Sequence, residues 1–183
     1  KLFAQAAHIP VHLGSMAFAM ESIIENRQWA SGDMLVLNDP YLGGTHLPDV
    51  TLIAPVFVEQ GASLLGFVAN RAHHANIGCD TPGSMPISSS LEEEGLIIPP
   101  TLLFKSGQLQ QEALALLQMR GDSLNGDFAA QAGANTLGVQ RLQSLLATMS
   151  ISDYDQGMKE LNDYADRITA NTIAELQVGE YSF

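Results

Sequence analysis

The sequence predicts an α+β fold, in which a β-rich centre carries two glycine-rich loops and is followed by a helical layer. Two β-rich runs, Thr51 to Val58 and Ser63 to Ala69, flank a short segment with hairpin-turn character. Glycine and proline are concentrated in the segments before and after these runs, which is typical of loops. In the last third, apolar residues recur at helical spacing.

The elements before the second strand follow from local patterns. A helix is predicted from Gly14 to about Gln28, where apolar residues share one face and Ser15 is a candidate cap. The apolar run Met34–Leu37 has the length of a strand. The stretch 38–50 contains two prolines and two glycines and is predicted to be loop. The turn of the hairpin is placed at 59–62.

A second irregular segment, 70–86, follows the hairpin. Two helical stripes then run over 128–149 and 154–168. Ser152 or Asp153 is the predicted cap of the last helix.

Length and charge narrow the classes of function. The chain has 183 residues with 46% hydrophobic and 15% charged residues, which suits a single domain over residues 1–183. The formal net charge of −12 would repel a polyphosphate backbone, so neither nucleic acid nor an anionic membrane is an expected partner. No apolar run is long enough for a transmembrane helix.

Cysteine usage points to a reducing compartment. Cys79 is the one cysteine, so no internal disulfide can form, and we expect a cytoplasmic protein. The chain begins without Met and both ends interrupt apolar stretches, so we expect a portion of a longer polypeptide.

The two glycine-rich loops hold the candidate chemistry. The first contains His46 and Asp49, and the second contains His73 and His74. The hairpin between them would return the chain and bring both loops to one end of a sheet. An imidazole and a carboxylate from one loop, with an imidazole from the other, suit Mn²⁺, Zn²⁺ or Fe²⁺. His46 and Asp49 converge only if the chain turns between them. The alternative is that these loops are ordinary turns with hydrogen-bonded polar residues.

Other candidates are less specific. His8 and His12 have i,i+4 spacing, but Pro10 between them argues against a helix and hence against a second metal pair. Asp39 is a candidate ligand or base, although Asn-Asp-Pro also opens turns. No Gly-Lys-Ser/Thr loop is present, so the chain is not expected to bind ATP by itself.

Around these loops the sequence strongly resembles the hydantoinase B/oxoprolinase family, nearly from end to end. The matching stretches are Gln5–Met16, Gly32–Tyr41, Gly43–Val50, Arg71–His74, Pro82–Pro86, Glu93–Pro100, Gly126–Gln131 and Gly179–Phe183.

The resemblance implies a subunit of an ATP-dependent hydrolase of cyclic amides such as hydantoins or 5-oxoproline. A hydantoinase A-type partner would use ATP to activate the substrate, and this chain would complete the ring opening. The motif match makes His46, Asp49 and His73 the metal ligands. Asp39 and His74 are the catalytic candidates, His74 as a neutral imidazole that moves a proton.

Two other functions stay open. The chain could belong to a metal-dependent carboxylase of the acetone carboxylase type, or it could be a non-catalytic binding module. The chain is also expected to form a homo-oligomer, because the resemblance implies a longer subunit whose missing part would leave apolar surface exposed.

Two residues depart from the family pattern. Asn76 stands where the family usually has Asp, which removes a carboxylate near the site, and Cys79 stands where the family usually has Gly.

Overall fold

The computed structural model describes residues 11–25, 27–58, 63–79, 81, 83, 86–118, 126–177 and 179. The contacts of the chain separate into two compact units, one ending at Ser144 and the other containing the residues from Leu145 onward. The single domain over residues 1–183 stays a prediction. His8 and the turn at 59–62 lie outside the described residues.

The first unit is built on a five-stranded antiparallel sheet, which confirms the α+β class. Its strands are β1 (Met34–Leu37), β2 (Asp49–Val58), β3 (Ser63–His73), β4 (Thr101–Lys105) and β5 (Gln108–Leu109). They lie in the order β3-β2-β1-β4-β5. The predicted strand and hairpin are confirmed, whereas β4 and β5 were not predicted.

Helices pack on both faces of the sheet because β2 alternates its side chains between them. Helix α1 (Val11–Glu25) places Ile23 on one face, with Leu35, Leu37 and Ile53. The other face carries helices α3 (Gln111–Gln118) and α4 (Asp127–Leu146), and the short helix α2 (Leu91–Glu94) precedes β4. The buried residues of that second face include Val50, Leu52, Ala54, Ala113, Leu117 and Phe128.

Three predicted boundaries need correction. Helix α1 begins at Val11 rather than Gly14, so Ser15 lies inside the helix instead of capping it. The predicted loops 38–50 and 70–86 are each shorter, because Asp49 already belongs to β2 and β3 continues to His73. The reason is that the hairpin ladder extends past the apolar residues through polar ones, as far as the pair Asp49–His73.

The second unit contains helix α5 (Ile151–Ala174). Its cap is Ser150 rather than Ser152 or Asp153. The Ser150 side chain accepts a hydrogen bond from the Asp153 N–H, and the Asp153 carboxylate accepts one from the Ser150 N–H. This is a capping box, with Asp153 at the third position of the helix. Among the described helices, none is long and apolar enough to cross a membrane.

Candidate metal centre

Three predicted ligands converge at the end of the β2–β3 ladder. One ligand atom from each of His46, Asp49 and His73 lies within 4.8 Å of the others. The Asp49 carboxylate is in the middle, with its Oδ2 3.0 Å from His46 Nδ1 and its Oδ1 3.3 Å from His73 Nδ1. The described structure therefore brings together the residues that the motif match named.

Strand register brings His73 to Asp49. The two residues are directly paired in the antiparallel ladder, at the first position of β2 and the last position of β3. Side chains paired across antiparallel strands point to the same face. His73 is thereby placed beside the carboxylate, while the side chain of the following residue, His74, is buried in contact with α4 residues.

A turn brings His46 to the same carboxylate. The Asp49 N–H donates to the His46 carbonyl at 3.0 Å, and the Val50 N–H donates to the Pro48 carbonyl at 3.0 Å. The sequence required such a turn for His46 and Asp49 to converge, and this requirement is met. Leu47 between them is fully buried, which anchors the turn in the core.

Two glycines allow the loop before His46 to fold tightly. Gly43 has a φ of +107°, and a Cβ there would lie 2.6 Å from the Cα of Ala19 in α1. A Cβ on Gly44 would lie 2.0 Å from the Asn38 carbonyl oxygen. Any side chain at either position would displace the loop or the helix.

The donor set and its exposure fit a divalent cation. The side chain of Asp49 is only 3% exposed, whereas those of His46 and His73 are 31% and 45% exposed. Two imidazoles and one carboxylate are ligands that Zn²⁺, Mn²⁺ and Fe²⁺ accept. A buried carboxylate between two half-exposed imidazoles leaves one side open to a small molecule.

Thr45 and Arg71 support the carboxylate and its strand. The Thr45 hydroxyl donates to Asp49 Oδ2 at 2.9 Å. The Arg71 guanidinium donates to the Thr51 hydroxyl at 2.7 Å, the Ser15 hydroxyl at 2.7 Å and the Gly43 carbonyl at 3.1 Å. Burial lowers the pKa of Arg71, and the negative charge of Asp49 opposes that shift.

His12 is a functional candidate that the sequence argued against. It lies in the first turn of α1, and its Nε2 is 3.7 Å from Asp49 Oδ2. Pro10 forbids a helix interior that contains both His8 and His12, but it does not forbid a helix that starts after it. The feature of the sequence that could have pointed to His12 is its i,i+3 spacing to Ser15, which puts both residues on one helix face.

His74 lies in a separate network on the other face of the sheet. It is 3% exposed, its Nε2 is 2.7 Å from Gln131 Oε1, and its ring packs edge-on against Phe128. Gln131 also donates to the Val50 carbonyl and to Asn70 Oδ1. Burial lowers the pKa of His74, with the Gln131 hydrogen bond opposing the shift. These contacts favour a neutral imidazole that joins α4 to the sheet.

Asp39 acts as a cap in the structure. Its Oδ1 accepts a hydrogen bond from the Tyr41 N–H at 2.9 Å, at the start of the 3-10 turn Pro40–Leu42. The Asp39 carbonyl accepts a hydrogen bond from the Gly44 N–H at 2.8 Å. Asp39 is not part of the three-residue cluster.

The two departures from the family pattern have local structural roles. The exposed Asn76 accepts a hydrogen bond from the Gly78 N–H through its Oδ1 at 2.8 Å. Cys79 is buried, and its Sγ is 3.0 Å from the Thr81 carbonyl oxygen.

Comparison with known proteins identifies the family. The family model described as hydantoinase B/oxoprolinase matches residues 1–183. The chain belongs to this family. It is 36% identical to a 5-oxoprolinase of Saccharomyces cerevisiae over 96% of its own length and 15% of that protein. It is 32% identical to a caprolactamase subunit beta of Pseudomonas jessenii, over 100% of its length and 32% of that subunit.

Two solved structures share the fold of this chain. The ATP-dependent caprolactamase from Pseudomonas jessenii matches with a TM-score of 0.87 and 30% identity, over 97% of this chain and 31% of that one. A nucleotide-free acetone carboxylase matches with a TM-score of 0.70 and 22% identity, over 81% of this chain and 20% of that one. At that identity the second likeness concerns the fold alone. The chain spans 32% and 12% of the lengths of the first two curated relatives that it matches.

Proposed function

We propose that this chain carries the metal centre of an ATP-dependent hydrolase that opens cyclic amides such as hydantoins or 5-oxoproline. The observation that carries the proposal is the convergence of His46, Asp49 and His73 at the end of the hairpin. Relatives named 5-oxoprolinase and caprolactamase support the class of reaction. A hydantoinase A-type partner would use ATP to activate the substrate. The lone cysteine supports the cytoplasm as the place of action.

Each residue of the centre has a distinct task in this proposal. The two imidazoles and the carboxylate would hold the ion, and Thr45 would keep the carboxylate oriented through its 2.9 Å hydrogen bond. Held by these residues, a divalent ion would supply Lewis acidity, which would polarise a carbonyl oxygen or lower the pKa of a bound water. The exposed sides of His46 and His73 leave the substrate an approach.

We assign no step of the reaction to either predicted catalytic residue, Asp39 or His74. His74 is buried and its Nε2 is engaged by Gln131, so we assign it to packing between α4 and the sheet. The Asp39 carboxylate caps a 3-10 turn, so we assign it to the shape of the loop.

Metal titration of the purified, chelator-treated protein tests the centre. We expect about one equivalent of Mn²⁺ or Zn²⁺ to bind, and we expect His46→Gln and Asp49→Asn to weaken binding by more than about 100-fold, since each removes a ligand. Asp39→Asn is the matched control, because an amide can still cap the turn, and it should bind like the wild type. A wild-type protein that binds neither ion would overturn the proposal.

Turnover with the partner separates the alternative functions. The wild type, the partner and ATP are supplied with 5-oxoproline, hydantoin or acetone, each with and without bicarbonate. Ring opening of a cyclic amide without bicarbonate supports the hydrolase, and consumption of acetone that requires bicarbonate supports the carboxylase. Metal binding without turnover of any cyclic amide or ketone supports the binding module.

A further inference from the structure

We propose that His12 is a fourth member of the metal centre, acting as a hydrogen-bond donor to the Asp49 carboxylate through Nε2 and not as a metal ligand. This inference rests on the proposed metal centre and deepens it. His12 comes from α1, whereas the other three residues come from the hairpin and the loop before it.

The position of His12 sets it apart from the ligands. Its Nε2 is 3.7 Å from Asp49 Oδ2, longer than the 3.0 Å and 3.3 Å contacts of His46 and His73 with the same carboxylate. Among the described residues, the group with all ligand atoms within 4.8 Å of one another contains those three and not His12. His12 is close enough to orient the carboxylate after a shift of a few tenths of an ångström.

The other ring nitrogen determines the tautomer. Within the part of the chain that the structure describes, His12 Nδ1 is buried and has no hydrogen-bond partner. A metal-bound Nε2 would require the proton on Nδ1, and ligating imidazoles almost always donate that proton to a partner. Nδ1 lacks a partner in either tautomer, but a proton on Nε2 faces the Asp49 carboxylate as an acceptor, whereas a proton on Nδ1 has none. The nitrogen that faces Asp49 is then a donor.

A partly buried hydrogen bond next to His12 holds its part of α1 in place. Ser15 lies one turn further along α1, and its hydroxyl accepts a 2.7 Å hydrogen bond from Arg71 of β3. Arg71 in turn is bonded to Thr51 at 2.7 Å, two residues after Asp49 in β2. Residues three apart share a helix face, so this bond holds the His12 side of α1 against the strands that carry the centre.

The test compares two substitutions of His12 that differ in one property. The Gln amide nitrogen lies three bonds beyond Cβ, as His Nε2 does, so His12→Gln keeps a donor at that reach. His12→Leu fills similar space without a donor. His46→Gln serves as the reference for loss of a ligand. Phe18→Ala, an exposed residue of α1, serves as the control for effects on the helix.

Mn²⁺ dissociation constants of the purified variants are measured by calorimetry, with folding checked by circular dichroism. We expect His12→Leu to weaken binding by about 10–100-fold, His12→Gln to stay within about threefold of the wild type, and His46→Gln to lose more than His12→Leu. Phe18→Ala should bind normally. His12→Ala replaces His12→Leu if the leucine variant does not fold.

Two results would overturn the inference. If His12→Gln loses affinity as strongly as His12→Leu, the donor is not what matters, and a loss matching His46→Gln makes His12 a ligand. If His12→Leu binds Mn²⁺ like the wild type, His12 has no part in the centre. A wild type without metal affinity refutes the proposed function itself, which is a separate outcome.

Discussion

Arg71 joins three parts of the chain through one guanidinium. Its N–H groups donate to Thr51 in β2, Ser15 in α1 and the carbonyl of Gly43. The negative charge of Asp49 raises the pKa of Arg71, which opposes the effect of burial. The planar fork of Arg can serve three acceptors in fixed directions, which a Lys ammonium cannot do as well. Arg71 is therefore a positioning residue for the metal centre.

Removing the guanidinium should destabilise the fold. We expect Arg71→Met to lower the free energy of unfolding by about 2–4 kcal/mol, because three bonds to a charged donor are lost and Asp49 loses its neighbouring cation. Arg71→Lys should lose less, since the charge stays. Urea denaturation measures both. Arg141→Met, at an exposed position of α4, should change stability by less than about 0.5 kcal/mol. An Arg71→Met variant as stable as that control would refute the positioning role.

At the residue scale, the sequence predicted which three side chains converge better than it predicted what surrounds them. His46, Asp49 and His73 were named from motifs that lie close together in the chain. His12 and Arg71 were missed as members because their contacts join residues far apart in sequence. The bond between Arg71 and Ser15 spans 56 residues, and only the folded hairpin and helix bring the two side chains together.

Helix α4 approaches the sheet closely where it carries a glycine. A Cβ on Gly138 would lie 2.8 Å from Val68 Cγ1 in β3, whereas a Cβ on Gly133 would have nothing within 4 Å. Both glycines interrupt the apolar helical stripe, and the sequence alone does not distinguish their roles. The structure distinguishes a glycine needed for packing from one that only lowers helix propensity.

Substituting each glycine by alanine should separate these two effects. Gly133→Ala is expected to stabilise the protein by up to about 1 kcal/mol, because alanine is the better helix former. Gly138→Ala gains the same propensity but forces Val68 to move, so it should be about 1–3 kcal/mol less stable than Gly133→Ala. Thermal unfolding of the two variants decides the matter. Equal midpoints would mean that α4 can shift away from β3 at no cost.

At the element scale, the periodicity of apolar residues was sufficient to predict long helices and strands but not short ones. The hairpin and helices α1, α4 and α5 follow from apolar spacing over many residues. Strand β5 has two residues and α2 has four, too few for any period to be visible. The extension of β3 to His73 was hidden because Asn70, Arg71 and His73 are polar, and ladder pairing with β2 maintains the strand.

In the molecule as a whole, the described residues of the second unit include a row of exposed apolar side chains on α5. Leu161, Tyr164 and Ile168 are all about half exposed and share one side of the helix by their spacing. Ile173 and Leu176 extend the exposed apolar residues toward the end of the chain. Apolar surface of this kind favours association.

We expect the chain to form a dimer or larger assembly through this side of α5. Light scattering coupled to size exclusion should give a mass above 19.6 kDa at about 100 µM. The double substitution Leu161→Ser and Ile168→Ser should shift the population toward monomer, because it removes apolar area from the contact. Asp166→Asn, on the opposite side of the helix, is the control. A wild type that stays monomeric at this concentration contradicts the expectation.

The register of β2 and β3 determines where the chain can change its length. The ladder shifts by one residue between Val56 and Phe57, so the part near the turn is offset from the part that carries the centre. From Val56 back to Asp49 the pairing is unbroken. Insertions near the turn can be absorbed at that irregularity, leaving the centre intact. One residue gained or lost between Gly66 and Arg71 would rotate both Arg71 and His73 to the opposite face of the sheet. Along this hairpin, the spacing to the candidate metal centre is thus as much a requirement as the identity of its residues.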